Sequence, residues 1–407
     1  MPTRMLDISR LISRVGNGPH TGIDRVELAY FNEFLNSDKS VFFLCRLPKS
    51  YAILDRAGGQ KIFDRLVGAA NWGRRGMARF LALTSNPAQQ SAISEVWRSA
   101  VLKSSERQFK KCMQANFGSG VQYFNVGHSN LRRGVLSAIS NNTSSEIVVF
   151  IHDVIPITSS DFSNTETNEN FELSISLVAE YADKIIYNST STQRAAEAQF
   201  VRLGCVPPGI SAHIGVEPKF GTTHIQAPNI KPNFVILGTI EPRKNHALLL
   251  SIWQGFEKTV EPSQIPILHI VGKRGWKNSG VFSKLDNDPL IGKTVFEHNN
   301  LSDLAMCEML AQSWGLLFPS HAEGFGLPLI EAAALGIPII CGENDIYREI
   351  LGDYPLYLNV DNSYLWSKRI LGRAGRNRES EADRHMRAGK VKIPTWNEHF
   401  DQIFRFV

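Results

Sequence analysis

Short runs of apolar residues, each about the length of one β-strand, alternate with helical patterns over most of this 407-residue chain. Six such runs lie at residues 41–44, 147–151, 184–187, 234–237, 265–271 and 316–319. A strand that is apolar without alternation is covered on both faces, which is typical of parallel strands flanked by helices. The pattern therefore predicts an α/β protein built on parallel sheets.

The length of the chain predicts two domains, because a single hydrophobic core stops growing at roughly 250–300 residues. Proline and glycine crowd residues 207–233, and a fresh strand pattern begins at Asn233. We therefore place an N-terminal domain at 1–220 and a C-terminal domain at 221–390.

The last residues, 391–407, form a separate helical segment in this prediction. Thr395 is followed three residues later by Glu398, a capping-box pattern that marks the start of a helix. Apolar residues recur along the segment that follows, up to Phe406.

Composition favours a protein of the cytoplasmic side. Hydrophobic residues make up 43% of the chain and charged residues 20%, as in ordinary soluble globular proteins. The five cysteines are scattered without a C-x-x-C pair, so we expect a reducing compartment and neither a disulfide framework nor a zinc site. The chain shows no apolar stretch of signal-peptide or transmembrane length.

Two glutamates, Glu323 and Glu331, flank a glycine-rich turn just after the apolar run at 316–319. Pro328 suits the first position of a helix, so a helix is predicted to begin there. The N–H groups of the turn and of the helix start can bind an anion, and a carboxylate beside them can accept hydroxyl groups. Such a pocket suits a nucleotide that carries both a diphosphate and a sugar.

A basic turn containing Arg243 and Lys244 follows the run at 234–237 and precedes a helix predicted from about Asn245. In open α/β sheets the carboxyl ends of the strands face the ligand crevice. Two cations beside a helix start can neutralise a diphosphate without a metal ion. Taken alone, the turn is explained as well by a solvated basic loop; paired with the Glu323–Glu331 element, the ligand-binding interpretation is favoured.

Two weaker signals lie in the first domain. His152 and Asp153 follow its most apolar strand; a lone histidine is more often structural, but this strand-end position favours function. Gly16, Gly18 and Gly22 form a glycine-rich loop before a helix. Their spacing fits neither of the common dinucleotide and phosphate-loop motifs, yet a glycine loop that opens a helix can still cradle a phosphate.

These segments together resemble the retaining glycosyltransferases of family 4, which have the two-domain GT-B fold. The stretch from Glu323 to Glu331 matches the E-x7-E element of that family, and residues 238–244 resemble its donor-diphosphate turn. The family's usual arginine is Thr239 here, with Arg243 as the substitute.

The resemblance also includes the segment at His152 and Asp153, which is similar to the family's active-site histidine segment. It covers nearly the whole chain, strongly at 233–360 and weakly at 1–140. It implies two Rossmann-like domains that face each other across a cleft, with the last helix packed back on the N-terminal domain.

The resemblance implies roles for the site residues. Glu331 would hold the donor ribose, and Arg243 and Lys244 the diphosphate. His152, Asp153 and Glu323 would form the catalytic set. The remaining expected donor-binding residues are Gly324, Phe325, Gly326 and Leu327 after the strand, and Gly16, Gly18 and Gly22 in the facing domain.

The implied reaction is the transfer of a hexose, mannose-like, with retention of configuration. GDP-mannose or another nucleoside-diphosphate hexose would be the donor substrate, and a lipid-linked or surface-polysaccharide acceptor, as in lipopolysaccharide or capsule, would receive the sugar. No further cofactor is expected. Two alternatives stay open: a GT-B nucleotide-sugar 2-epimerase, and an inactive GT-B domain that serves as a binding or scaffold subunit.

Two further features bear on partners. Asp286-Asn287-Asp288 is formally a D-x-D metal motif, but it lies in a polar stretch that we interpret as a surface turn, so a metal-independent site is expected. Residues 61–111 hold ten Lys and Arg against three acids. This segment suits either peripheral contact with the inner face of an anionic membrane or a solvated helical excursion with a buried apolar face. Nucleic acid is not expected, because no nucleic-acid module accompanies the charge.

Overall fold

The computed structural model of the chain describes residues 3–74, 76, 86–142, 144–162, 165–216, 231–376 and 379–407. These residues form two sheets, each flanked by helices. The predicted domain boundary between residues 220 and 221 lies outside the described residues.

The first sheet has eight strands: β1 (Thr3–Asp7), β2 (Val41–Leu47), β3 (Ser50–Leu54), β4 (Leu102–Ser105), β5 (Val121–Asn125), β6 (Glu146–Ile151), β7 (Lys184–Tyr187) and β8 (Gly209–Ser211). Their spatial order is β4-β3-β2-β1-β5-β6-β7-β8. The six strands β2-β1-β5-β6-β7-β8, adjacent in this order, pair in parallel, as predicted. β3 pairs antiparallel with β2, to which a short hairpin connection joins it, and the edge strand β4, which follows α3 and α4 in the chain, pairs antiparallel with β3.

The second sheet has six strands: β9 (Asn233–Leu237), β10 (Ile267–Val271), β11 (Val295–His298), β12 (Gly315–Phe318), β13 (Ile339–Gly342) and β14 (Leu356–Leu358). Their order is β11-β10-β9-β12-β13-β14, with every pair parallel. This is the strand order of a doubly wound Rossmann sheet, whose direction of winding reverses between β9 and β12. The predicted strands that follow residue 233 are confirmed.

Nine helices are named on the N-terminal side: α1 (Ser9–Arg14), α2 (Gly22–Asn36), α3 (Arg56–Leu66), α4 (Pro87–Ser99), α5 (Phe109–Phe117), α6 (Arg133–Ser140), α7 (Ile155–Thr158), α8 (Thr165–Tyr181) and α9 (Thr190–Arg202). The others are α10 (His246–Thr259), α11 (Ser279–Asn287), α12 (Asp303–Gln312), α13 (Leu327–Ala334), α14 (Asp345–Leu351), α15 (Ser363–Ala374), α16 (Glu381–Ala388) and α17 (Trp396–Phe406). Pro328 lies in the first turn of α13, and Thr395 caps α17 in a capping box with Glu398, as predicted.

The strands are apolar on both faces because each sheet is covered on both. In the first sheet Phe43, Phe124 and Phe150 belong to one core, and Tyr123 and Ile147, their neighbours along the strands, belong to the core of the opposite face. Burial of both faces fixes the register of the strands and thereby the positions of the loops at their carboxyl ends.

The last helix, α17, packs against the N-terminal sheet. His399 Nε2 lies 2.9 Å from the Tyr30 hydroxyl of α2. The rings of Phe404 and Phe34 lie 6.4 Å apart, and the Arg4 guanidinium lies 3.9 Å from the centre of the Phe404 ring. The chain therefore crosses back to the first domain after completing the second.

The basic segment 61–111 forms parts of α3, α4, β4 and α5, and its residues 75 and 77–85 lie outside the described residues. Ile62, Leu66 and Val96 are buried beneath it, while Trp97 and Lys103 are exposed. In the part of the chain that the structure describes, no helix combines the length and apolar character needed to cross a membrane.

Candidate active site

The loops that follow β9 and β12 meet at the point where the winding of the second sheet reverses. Lys244 Nζ lies 2.5 Å from Glu323 Oε1, and Arg243 Nη1 lies 2.7 Å from Glu323 Oε2. The backbone N–H of His321 donates to the carbonyl of Arg243 at 2.9 Å and joins the two loops directly. The structure therefore brings together the basic turn and the first glutamate, which the sequence places 79 residues apart.

Glycine permits this arrangement at the end of β9. Gly238 has a φ of +137°, and a Cβ there would lie 3.1 Å from Cε of Lys244. A side chain at Gly272, at the end of the neighbouring strand β10, would collide with the carbonyl oxygen of Gly238 at 2.0 Å. The two glycines let Lys244 fold back over the end of the sheet instead of pointing away from it.

The charges of this cluster are buried and balanced. Burial alone would raise the pKa of Glu323, but Lys244 and Arg243 outweigh it and lower the pKa to about 2. Burial lowers the pKa of Lys244, an effect that Glu323 offsets only in part. Arg243 also donates to Glu241 at 2.6 Å, and its pKa is raised, because the two glutamates overcome the effect of burial. Glu323 is thus a carboxylate in this site and cannot serve as an acid near neutral pH.

The second glutamate, Glu331, lies on α13 and is 1% exposed. Arg25, on α2 of the facing domain, donates from Nη1 to Glu331 Oε1 at 2.5 Å. The sequence-based role for Glu331, binding the donor ribose, stays a prediction. The structure adds a charged partner for it that comes from the other side of the cleft.

The glycine-rich loop of the first domain contacts the second domain. Gly18 has a φ of +95°, and a Cβ there would lie 1.7 Å from Nζ of Lys273, which donates to the carbonyl of Asn17 at 2.7 Å. Gly22, the first residue of α2, faces Leu327 with 3.3 Å between an added Cβ and the leucine Cδ1.

Gly16 differs from the other two loop glycines. It has a φ of +80° and packs against Asn86 of its own domain, where an added Cβ would lie 2.5 Å from the amide nitrogen of Asn86. The structure therefore brings Gly18 and Gly22 to the cleft, whereas Gly16 shapes the loop from behind.

His152, at the end of β6, is 5% exposed and held from two sides. Its Nε2 lies 2.6 Å from the carbonyl of Val126, to which it donates as the protonated ring nitrogen, and its own carbonyl accepts from Asn188 at 2.7 Å. Burial, together with the neighbouring His128, places the pKa of His152 well below its usual value. The ring is therefore neutral, with Nδ1 carrying the lone pair.

Asp153 follows in the chain, and its side chain turns into its own loop. Its Oδ1 accepts from the backbone N–H of Ile155 at 3.1 Å, which begins α7. Burial raises the pKa of Asp153, and the positive charge of Arg243 across the cleft opposes that change.

The two domains touch between Gly324 and the His152–Asp153 segment. A Cβ on Gly324 would lie 2.6 Å from the His152 carbonyl and 2.9 Å from Cβ of Asp153. Thr192 of α9 donates its hydroxyl to the Gly324 carbonyl at 3.2 Å. The predicted catalytic set of His152, Asp153 and Glu323 is therefore gathered at one place in the cleft.

The residues after Gly324 shape the start of α13. Phe325 is buried, and Gly326, with a φ of +89°, forms the N-cap of the helix in the left-handed region that favours glycine. An added Cβ on Gly326 would lie 3.1 Å from the ring of Tyr347. The backbone, and not the Phe325 side chain, is what these positions offer to a ligand.

The D-x-D stretch is not the surface turn that the sequence suggested. Asp286 and Asn287 are the last two residues of α11, and Asp288 caps it. Asp286 pairs with Arg274 at 2.7 Å, because the helix brings it over that side chain. Among the residues that the structure describes, no three His, Cys, Asp or Glu side chains come together as a metal site.

Sequence reasoning missed several residues that complete the site. Arg25 pairs with Glu331, Glu241 with Arg243, and His128 packs beside His152 with 5.2 Å between the ring centres. Glu349 of α14 accepts from the N–H groups of Thr190 and Ser191 at 2.7 and 2.9 Å across the domain interface. Only Glu241, three residues before Lys244, carried a local signal, since a buried arginine turn calls for a carboxylate nearby.

Comparison with known proteins places this geometry in context. Residues 223–363 match the family model described as glycosyl transferases group 1. The serotype-specific mannosyltransferase WbdA of Escherichia coli is 31% identical over 225 residues, which cover 51% of this chain and 27% of that protein. The O-antigen chain mannosyltransferase B of Escherichia coli is 28% identical over 135 residues, which cover 33% of this chain and 35% of that protein. The chain thus matches only about a quarter to a third of these relatives' length.

Among solved structures, HepE of Anabaena in complex with UDP and glucose superposes with a TM-score of 0.63. The match covers 100% of both chains at 12% sequence identity. A likeness at this identity shows the fold, which is GT-B: two Rossmann-like domains that face each other across a cleft.

Proposed function

We propose that this chain, whose residues 223–363 match the group 1 glycosyl transferases, is a retaining hexosyltransferase that uses a nucleoside-diphosphate sugar. The observation that carries the proposal is the cluster of Arg243, Lys244 and Glu323 at the point where the winding of the second sheet reverses. In open α/β sheets this is where ligands bind. The cluster faces His152 of the other domain through Gly324, so donor and acceptor sides meet there.

The donor diphosphate has a place beside the two cations. Lys244 and Arg243 exchange Glu323 for phosphate oxygens, since a phosphate carries more negative charge than the carboxylate that holds them in the free protein. N–H groups at the start of α13 add a partial positive charge. Glu331, on the same helix, accepts the ribose hydroxyls in this proposal.

The reaction breaks the bond between the anomeric carbon and the diphosphate oxygen and forms a bond from that carbon to the acceptor oxygen. The acceptor proton passes to an oxygen of the departing diphosphate on the same face, which retains the configuration. Negative charge grows on the leaving group as the bond breaks. Lys244 and Arg243 stabilise that charge more in the transition state than in the bound donor, which is what speeds the transfer.

His152 and Asp153 line the acceptor side. A neutral histidine with its lone pair on Nδ1 can accept a hydrogen bond from a sugar hydroxyl, while its one ring proton, on Nε2, is bonded to the Val126 carbonyl. Glu323 is likewise ionised. Because neither group protonates the leaving oxygen, the departing diphosphate keeps its negative charge, and in this proposal its own oxygen accepts the acceptor proton.

The names of the relatives favour mannose and a surface polysaccharide. WbdA and the O-antigen enzyme are both named as mannosyltransferases. We therefore propose GDP-mannose, or another nucleoside-diphosphate hexose, as donor and a lipid-linked or polysaccharide chain as acceptor. The five free cysteines agree with a site of action on the cytoplasmic side.

Peripheral contact with an anionic membrane belongs to the same proposal. Trp97 near the end of α4 and Val101 just before β4 are exposed, and Lys103 Nζ lies 5.1 Å from the centre of the Trp97 ring. Arg98, also exposed, adds a second cation, which pairs with Glu95 at 2.6 Å. An amphipathic tryptophan framed by cations suits the interface of a lipid bilayer. Sedimentation with vesicles of anionic and of neutral lipids tests this, with Trp97→Ala and Lys103→Ala expected to reduce binding to the anionic vesicles.

A transfer assay tests the proposed reaction. Purified protein is mixed with GDP-mannose, and with the UDP and dTDP sugars, in the presence and absence of a mannose-terminated lipid-linked acceptor. We expect acceptor-dependent release of nucleoside diphosphate and an α-linked product from an α-linked donor. Free epimerised sugar without acceptor would indicate the 2-epimerase instead, and binding of the acceptor without any turnover would indicate a scaffold subunit.

A further inference from the structure

We infer that Arg25 sets the affinity for the donor by competing with the ribose for Glu331. The inference rests on the proposed function, because it takes Glu331 as the residue that accepts the ribose hydroxyls. It adds a residue of the opposite domain to the donor site and gives that residue an opposing role: Arg25 holds the site shut until the donor displaces it.

Arg25 occupies the position beside Glu331 that the donor ribose needs. Nη1 of Arg25 lies 2.5 Å from Glu331 Oε1, and Glu331 is 1% exposed. A ribose hydroxyl cannot reach a carboxylate oxygen that is enclosed in this way. Binding of the ribose at Glu331 therefore requires that Arg25 withdraw.

The segment that carries Arg25 contacts the second domain at more than one point. Arg25 lies on the first turn of α2, directly after the glycine-rich loop. The same stretch touches the second domain twice more, where Gly22 faces Leu327 and Asn17 accepts from Lys273. Together with the pair of Arg25 and Glu331, these contacts lie along one edge of the interface between the domains.

A second contact between the domains stays outside this edge. Glu349 of α14 accepts from the N–H groups of Thr190 and Ser191 at the start of α9 and from His213 Nε2 at 2.9 Å. It involves neither α2 nor α13. Substitution of Arg25 should therefore leave this second contact between the domains in place.

Loss of Arg25 should change the donor affinity in an unusual direction. If only the fraction of molecules with Arg25 withdrawn binds the donor, the measured dissociation constant is the intrinsic value divided by that fraction. Removing the arginine then tightens binding, although it removes a positive charge near an anionic ligand. A residue that contacted the donor directly would do the opposite.

Calorimetric titration of GDP, UDP and dTDP into the 407-residue chain tests whether Arg25 competes with the donor. The nucleotide that binds wild type most tightly is then used for Arg25→Met and for Arg25→Gln, which loses the charge but keeps a hydrogen-bond donor. We expect both variants to bind about fivefold or more tightly than wild type. Arg133→Met is the matched control: it removes an exposed arginine that pairs with Glu180 within the first domain at 2.7 Å, and it should leave the affinity unchanged.

A Glu331→Gln background completes the test. In this background Arg25→Met should no longer tighten nucleotide binding, because the carboxylate of Glu331, which Arg25 and the ribose both bind, is gone. Weaker or unchanged binding by the folded Arg25 variants would overturn the inference, as would an equal gain in the Glu331→Gln background. If wild type binds none of the three nucleotides, the proposed donor site itself is wrong, which is a different and recognisable result.

Discussion

Gly324 of the C-terminal domain lies directly against the backbone carbonyl of His152 in the N-terminal domain, where even a methyl group would come within 2.6 Å of the oxygen. The contact leaves no room for any side chain other than hydrogen. It joins the loop that carries Glu323 to the loop that carries Asp153. The two halves of the candidate site therefore keep this spacing only while residue 324 is a glycine.

Gly324→Ala should separate the two halves without damaging either. A displacement of about 1 Å at reacting groups can cost roughly 10²-fold in rate, so we expect turnover to fall by about that factor. Binding of nucleoside diphosphate to the second domain should change far less. Rate measurements beside calorimetric binding check this. Gly134→Ala on α6, where an added Cβ meets nothing within 4 Å, is the control and should keep full turnover.

Lys244→Met should remove stabilisation of the leaving group. We expect kcat to fall by roughly 10²–10³, as when one donor that stabilises developing negative charge is deleted. The variant should also lose stability, because Glu323 then keeps only Arg243 as its cation in this cluster.

Comparison of Lys244→Met with a double variant separates these two effects. Lys244→Met/Glu323→Gln removes both charges and should recover part of the lost unfolding free energy, while kcat stays low. Denaturant titration and transfer rates give the two values. Recovery of activity in the double variant would show that Lys244 matters only for stability.

The proposed binding of the ribose by Glu331 predicts that a nucleotide without its 2′-hydroxyl binds more weakly. Wild type should bind 2′-deoxy-GDP more weakly than GDP. A buried carboxylate that loses its hydrogen bond costs about 1–3 kcal/mol of binding free energy. In Glu331→Ala the two nucleotides should bind alike. Equal preference in wild type and variant would mean that the ribose lies elsewhere.

Acid should destabilise the chain through histidines that are buried as neutral rings. His399, which joins α17 to Tyr30, has a pKa lowered to about 4 by burial. The unfolded chain takes up this proton near pH 6.5, so stability is lost as the pH falls from about 6.5 towards 4. Each such group contributes up to about 1.4 kcal/mol per pH unit in that window.

His399→Gln should flatten this dependence by up to that amount. Chemical denaturation at several pH values measures the slope. His385→Gln on α16, where the ring is exposed, should leave the slope close to that of wild type. An unchanged slope in His399→Gln would show that the ring is already protonated in the folded state.

The α/β class and six of the named strands, β2, β6, β7, β9, β10 and β12, follow from apolar runs that the sequence displays. The runs at β9 and β12 are apolar throughout, so they are recognisable as strands buried on both faces. β1 and β5 are equally buried, yet the apolar pattern did not identify them. Arg4 and Gln122 interrupt that pattern, and these two side chains satisfy each other across the strands at 3.3 Å. A polar pair of this kind cannot be inferred before the strands are known to be neighbours.

Part of the candidate site could likewise be predicted from the sequence, and part could not. That Lys244 and Glu323 lie near each other follows from two strand ends of one parallel sheet. The pairing of Arg25 with Glu331 joins residues 306 apart across two domains, and nothing in either local sequence indicates it. The interpretation of Asp286 failed because a polar stretch is compatible with both a turn and an exposed helix end.

We propose that a nucleotide sugar binds at the cluster of Lys244 and Glu323 and extends its ribose to Glu331. The most direct test is equilibrium binding of GDP-mannose, with UDP and dTDP sugars in parallel, to wild type and to Lys244→Met and Glu331→Ala. We predict saturable binding of at least one nucleotide sugar to wild type and at least tenfold weaker binding to each variant, a loss of about 1.4 kcal/mol or more. Binding by none of the sugars, or binding that neither substitution changes, would contradict the account.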